Sequence, residues 1–166
     1  MQGKYKTFDP SLHNKTDKPG KDAALEFINR HLRSHNSNLR TIENPNRYGI
    51  DLLTLNEKDE VTICWEIEVR LAWKGDRSFY FDTVHCPERK DRLWKQGEEF
   101  TNSIPFPLSS NCKLFYVQLN DLCNRVLLVD SKNILRCKLK HSPNKEISEG
   151  EMFRNIPLKA VKELRI

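Results

Sequence analysis

Three carboxylates sit where packing residues are expected. Asp51 opens a first apolar run, IDLLTL, and Glu66 and Glu68 lie inside a second, VTICWEIEV, with the polar stretch NEKDE between the runs. Side chains of a strand alternate faces, so Glu66 and Glu68 point the same way, about 6.5–7 Å apart. Trp65, Ile67 and Val69 then point the other way and form the packing face. An antiparallel hairpin of the two runs brings Asp51 near the same patch. Like charges gathered on a part-buried face raise one another's pKa and destabilise the fold. A hard divalent cation, Mg²⁺ with Mn²⁺ as a substitute, reverses that cost, because it draws ligands from carboxylates, backbone carbonyls and water. The competing readings are structural. The glutamates pair with Lys or Arg of a neighbouring strand, face solvent on an edge strand, or occupy ordinary exposed positions.

The elements that must hold these residues follow from periodicity. Residues 1–20 are polar and basic, with two prolines and two glycines, and read as a flexible arm ahead of a single domain over 21–166. From Lys21 to about Asn36 the residues Ala24, Leu25, Phe27, Ile28, His31 and Leu32 share a helical stripe. Ile50–Leu55 and Val61–Arg70 read as the hairpin. RSFYFDTVH reads as a third strand, CPERKDRLWKQGEEF as a helix with Pro87 in its first turn. CKLFYVQL and RVLLVDS are continuous apolar runs typical of central strands. NILRCKLK is expected as an edge strand, and IPLKAVKEL as a short helix from near Pro157. The fold class is α+β or α/β, a mixed central sheet flanked by helices.

Composition narrows the functions. The chain of 166 residues carries a net charge of +5 and a pI near 9.0, which suits a polyanionic partner. Residues 41–70 run against that balance, with three Lys or Arg facing seven Asp or Glu. Three of those acids, Glu57, Asp59 and Glu60, are turn residues. Five scattered cysteines without a CxxC pair support neither a disulfide framework nor a zinc site. No apolar stretch near Met1 resembles a signal peptide and no run approaches a membrane span, so a cytoplasmic location is expected, that of a host if the chain is viral. GxGxxG, GxxxxGK[ST] and GxSxG are all missing, which leaves little for a cofactor enzyme.

The pieces NPNRYGID, ending in Asp51, and WEIEV, carrying Glu66-Ile67-Glu68, resemble the PD-(D/E)xK nuclease superfamily. Its signature is an Asp at a strand start followed by (D/E)-x-K on the next strand of a hairpin. Here Glu68 stands at the lysine position, as in the E-x-E variant. The resemblance covers about residues 20–120 in topology and implies a restriction-endonuclease-like core. It implies Mg²⁺-dependent hydrolysis of DNA phosphodiesters, with the metal on Asp51, Glu66 and the Ile67 carbonyl, and Glu68 orienting or deprotonating water. Lys90 or Arg89, from CPERKDR, would replace the missing lysine, Lys90 being preferred. A register shifted by two residues, with Arg70 in the lysine position, stays open. Glu26 matches the helix glutamate of resolvase-like members, although it falls beside Arg30 and Arg33, off the apolar stripe. Arg47, just before the acidic hairpin, is a candidate phosphate contact, and a homodimer is a further implication of the family. The alternative is an inactive nucleic-acid-binding or protein-interaction module on the same fold.

Overall fold

The computed structural model describes residue 11 and residues 13–36, 38–141 and 151–166. Of the expected N-terminal arm, residues 1–10 and 12 lie outside the described residues. The rest of that stretch is not an arm. A π-helical turn, His13–Asp17, leads into helix α1, Lys18–His35, whose first turn accepts Pro19 because its missing N–H is one no helix start can pair. The helix therefore begins three residues before the boundary the sequence suggests.

Six strands form the main sheet: β1 (Arg40–Glu43), β2 (Leu52–Leu55), β3 (Val61–Val69), β5 (Leu108–Leu119), β6 (Arg125–Asp130) and β9 (Lys162–Arg165), in the order β1-β2-β3-β5-β6-β9. The expected hairpin is present as β2 and β3, with Leu52 opposite Trp65. The remaining pairs are antiparallel except β3–β5, which run parallel. A parallel pair requires a crossover. Residues 70–107 supply it, including β4 (Thr83–Pro87), a 3₁₀ turn (Glu88–Lys90) and the short helices α2 (Asp91–Trp94) and α3 (Glu98–Asn102). A second sheet, β4-β8-β7, is built from β4, β7 (Leu139–His141) and β8 (Met152–Pro157).

Two apolar layers sandwich the main sheet. On one face α1 sets Ala24 and Ile28 against Trp65, Ile67, Val117 and Leu119. On the other, Trp94, Phe100, Val84, Cys86 and Ile156 pack over Cys64, Leu114 and Tyr116. Glu66 and Glu68 share this second face with Cys64, as strand alternation requires. Among the described residues no helix is long and apolar enough to cross a membrane.

Four expected elements differ. RSFYFDTVH contributes only Thr83–Val84–His85 to a strand, which joins the second sheet through β8. Its aromatics are spent elsewhere: Phe79 packs edge-on to Trp73, and Phe79 and Phe81 both lie under Arg70. The helix expected over 86–100 breaks at Gln96, whose φ of 48° no helix tolerates, just before Gly97. Half of NILRCKLK, residues 133–136, belongs to helix α4 (Ser131–Arg136), started by the Asp130 side chain, which accepts a hydrogen bond from the Lys132 amide. Only its end, from Leu139, enters an edge strand, β7. IPLKAVKEL is no α-helix. It ends β8, makes a 3₁₀ turn at Leu158–Ala160 and becomes β9, which pairs with the free side of β6.

Gly20 fixes how closely α1 approaches the sheet. A Cβ there would come within 2.5 Å of Val69 Cγ2. Gly20→Ala should therefore cost about 1–3 kcal/mol through overpacking, although alanine favours helix. Urea denaturation should show a lower midpoint with an unchanged slope.

Candidate active site

Asp51 lies just before β2, where the β2–β3 ladder has ended at Leu52 and Trp65. Its Oδ2 accepts a hydrogen bond from the Ile67 amide at 2.8 Å and so takes the place of a partner strand. Within a strand the N–H and C=O of one residue point the same way, so the Ile67 carbonyl is directed to that same strand-free side. The other oxygen, Oδ1, meets Lys21 Nζ at 2.6 Å. Lys21 stands in the first turn of α1, one residue past the close-packed Gly20.

From the opposite face comes Lys90. Its Nζ lies 2.5 Å from Glu66 Oε1 and 3.6 Å from Glu68 Oε2. The 3₁₀ turn that carries it is pinned by its neighbour Asp91, which accepts from Arg154 Nε at 2.9 Å and Nη2 at 2.7 Å, a bidentate bond to β8. Glu66 Oε2 is buried with no hydrogen-bond partner. Burial and the neighbouring Asp51 carboxylate push the Glu66 pKa up to about 7, against the opposing pull of Lys90. Burial alone would lower the Lys90 pKa, but Glu66, Glu68 and Asp51 together hold it above its ordinary value, so Lys90 is charged. Lys21 follows the same pattern, with Asp51 the main carboxylate.

A polar relay continues behind Glu68. Tyr116 Oη donates to Glu68 Oε2 at 2.7 Å. Gln118 Nε2 donates to Tyr116 Oη at 2.8 Å and to the His85 carbonyl at 3.1 Å. The β3–β5 register sets this up by pairing Glu66 with Tyr116 and Glu68 with Gln118. Burial, then Glu68, raises the Tyr116 pKa well above the usual value, so its hydroxyl stays a donor.

Asp51, Glu66, Glu68, Ile67 and Lys90 thus converge from three elements. The other expected residues do not join them. Glu26 is on the exposed side of α1, because its helical phase opposes that of Ala24 and Ile28, and the helix presents Lys21 to the site instead. Arg89 is paired with Glu151. Arg70 carries its guanidinium 4.3 Å above the Phe81 ring and 5.2 Å above that of Phe79, although it stays within electrostatic range of Glu68 and Tyr116. Arg47 lies over Tyr48 on the β1–β2 connection. Sequence reasoning missed Lys21, Tyr116 and Gln118. Nothing local links Lys21 to Asp51, but Tyr116 and Gln118 are alternate polar positions in an apolar strand, and that signal is legible.

Among the described residues no group of three or more His, Cys, Asp or Glu side chains is gathered closely enough to hold a metal ion as it stands. The donor types nevertheless suit a hard cation: the Asp51 carboxylate is close enough to oppose ionisation of Glu66, and Glu66 Oε2 is an orphaned buried oxygen. Comparisons with protein-family models, with curated proteins and with solved structures find no match.

Proposed function

We propose that this protein is a divalent-metal-dependent endonuclease acting on DNA, of the E-x-E kind within the PD-(D/E)xK pattern. The observation that carries this reading is the buried, unpartnered Glu66 Oε2 beside Asp51 at the mouth of the β2–β3 hairpin. The order of a helix, three antiparallel strands, a crossover and a strand parallel to the third supports a restriction-endonuclease-like core. Asp51, Glu66 and the Ile67 carbonyl would hold Mg²⁺ or Mn²⁺. Such an ion polarises the phosphate and makes hydroxide available at neutral pH. Glu68, which accepts a hydrogen bond from Tyr116, would orient the attacking water. Lys90, 2.5 Å from Glu66, would supply the cation that the E-x-E motif lacks and offset the negative charge that builds on the phosphate in the transition state.

Supercoiled plasmid incubated with Mg²⁺, Mn²⁺ or EDTA tests this. Wild type should nick the plasmid only with metal, and Glu66→Ala should lose at least about 10²-fold in rate, since a metal contributes several kcal/mol to such a transition state. The second reading is a binding module whose carboxylates are neutralised by lysines, favoured by the Lys21–Asp51 and Lys90–Glu66 pairs. It is the answer if no DNA substrate is cut while salt-sensitive binding persists in Glu66→Ala.

A further inference from the structure

Tyr48 is the most exposed large hydrophobic side chain among the described residues, at 72%. It stands three residues before Asp51, and three residues of chain span at most about 10 Å. Exposed rings are common on mobile tips, but this one is held. The Asn46 amide donates to Asn44 Oδ1 at 3.1 Å, the Tyr48 amide to Asn46 Oδ1 at 3.1 Å and the Gly49 amide to the Asn46 carbonyl at 3.0 Å. Asn44 Nδ2 in turn donates to the Ser103 carbonyl at the end of α3. At Gly49 a Cβ would come within 2.8 Å of Ser103 Oγ and of Asn44 Nδ2, so the connection is pressed onto α3 as only glycine permits. The ring is presented to solvent by a connection pinned at both ends.

Arg47 completes the arrangement. Its guanidinium carbon lies 5.0 Å from the ring centroid, and Nη2 donates to Tyr48 Oη at 3.0 Å. The pair thus couples a flat apolar surface with a cation that keeps unspent donors. Tyr80 gives the contrast. It also carries an arginine, Arg77 at 4.0 Å, but it stacks on Phe81 at 4.4 Å and its hydroxyl is tied to the Ala72 carbonyl, so its ring serves the fold. Among the described residues no other aromatic ring stacks on Tyr48.

We infer that Tyr48 and Arg47 form a platform for one unpaired nucleotide, the base on the ring and its phosphate on the guanidinium, and that single-stranded DNA is the substrate of the neighbouring carboxylate site. Base stacking on an aromatic side chain is sequence-tolerant and needs a base whose face is open. In duplex both faces are taken, and opening one costs a few kcal/mol. This names the substrate class of the nuclease proposed above and rests on that reading for its catalytic meaning, but its test does not require cleavage.

Fluorescence anisotropy in EDTA, with labelled dT20, U20 and a 20-base-pair duplex, compares wild type with Tyr48→Ala and Tyr48→Phe. The expected result is tightest binding to dT20, a loss of about 5- to 100-fold in Tyr48→Ala, recovery of most of it in Tyr48→Phe, and unchanged duplex binding. Thermal melts of all three proteins should coincide, since the ring supports no core. Equal affinity of wild type and Tyr48→Ala for dT20, or an equal loss on duplex, would overturn the platform, and a preference for U20 would overturn DNA as its ligand. If dT20 binding depends on Tyr48 while no substrate is cleaved, the nuclease reading fails and the platform stands. If metal-dependent cleavage occurs and Tyr48→Ala binds dT20 normally, the reverse holds.

Discussion

Glu66→Gln is expected to abolish metal-dependent cleavage and, in EDTA at pH 8, to make the protein more stable. The two effects have one cause. Glu66 is buried next to Asp51, and the environment opposes its ionisation enough to place its pKa at about 7 even with Lys90 at 2.5 Å. A carboxyl whose folded pKa is raised binds its proton more tightly in the folded state. Its contribution to stability is therefore fully present below the ordinary value of 4.5 and is lost as pH rises through about 7. The loss amounts to roughly 3 kcal/mol at pH 8 if the whole shift is realised. Glutamine keeps the shape and the acceptor for Lys90 but cannot ionise, so the variant should gain about 1–3 kcal/mol at pH 8 and roughly a quarter as much at pH 5. Urea denaturation in EDTA at the two pH values reads this directly. Added Mg²⁺ should then stabilise wild type at pH 8 and leave Glu66→Gln unmoved, because binding to the folded state alone raises stability. A variant less stable than wild type by the same margin at both pH values would mean that Glu66 is a stably ionised partner of Lys90, with no place kept for a cation.

How much of this was legible in the sequence depends on the range of the interaction. The hairpin, the shared face of Glu66 and Glu68 and the opposite packing face of Trp65 and Ile67 follow from period two and a polar turn. They survive because both apolar layers enforce them. The nearness of Lys90 to Glu66 was legible only through the family resemblance, and the helix expected after Pro87 is cut short because Gln96 and Gly97 interrupt it. Lys21 was hidden because its partner is thirty residues away and the packing of α1 on the sheet, tightest where Gly20 meets Val69, brings the two together. The C-terminal segment misled for a different reason. Pro157 suits a helix start, yet the edge of β6 needs a partner, and a strand that satisfies a row of backbone donors and acceptors outweighs weak local propensity. The aromatics of 79–81 carry strong strand propensity but gain more by covering Arg70 and Trp73.

Lys90→Met separates a catalytic lysine from a counter-ion. Lys90 is nearly buried between Glu66 and Glu68, and its removal leaves the carboxylates facing one another without it. Breaking a buried pair on one side typically costs about 3–5 kcal/mol, and methionine, of similar length, adds little overpacking. In EDTA the variant should therefore denature at distinctly lower urea than wild type. Saturating Mg²⁺ should return much of that stability, because a divalent cation restores the balance that Lys90 gave. Both roles of Lys90 share that outcome, so stability alone does not decide between them. Cleavage at the same Mg²⁺ concentration does. If Lys90 offsets the charge that builds on the phosphate, the folded, metal-bound variant should remain slower by about 10²–10³-fold, the usual cost of removing one donor aimed at a developing oxyanion. If the lysine only neutralises carboxylates in the metal-free protein, the Mg²⁺-restored variant should cut at nearly the wild-type rate. The cation missing from the E-x-E motif would then have to come from elsewhere, and Lys21, 2.6 Å from Asp51 on the other side of the sheet, is the residue to substitute next.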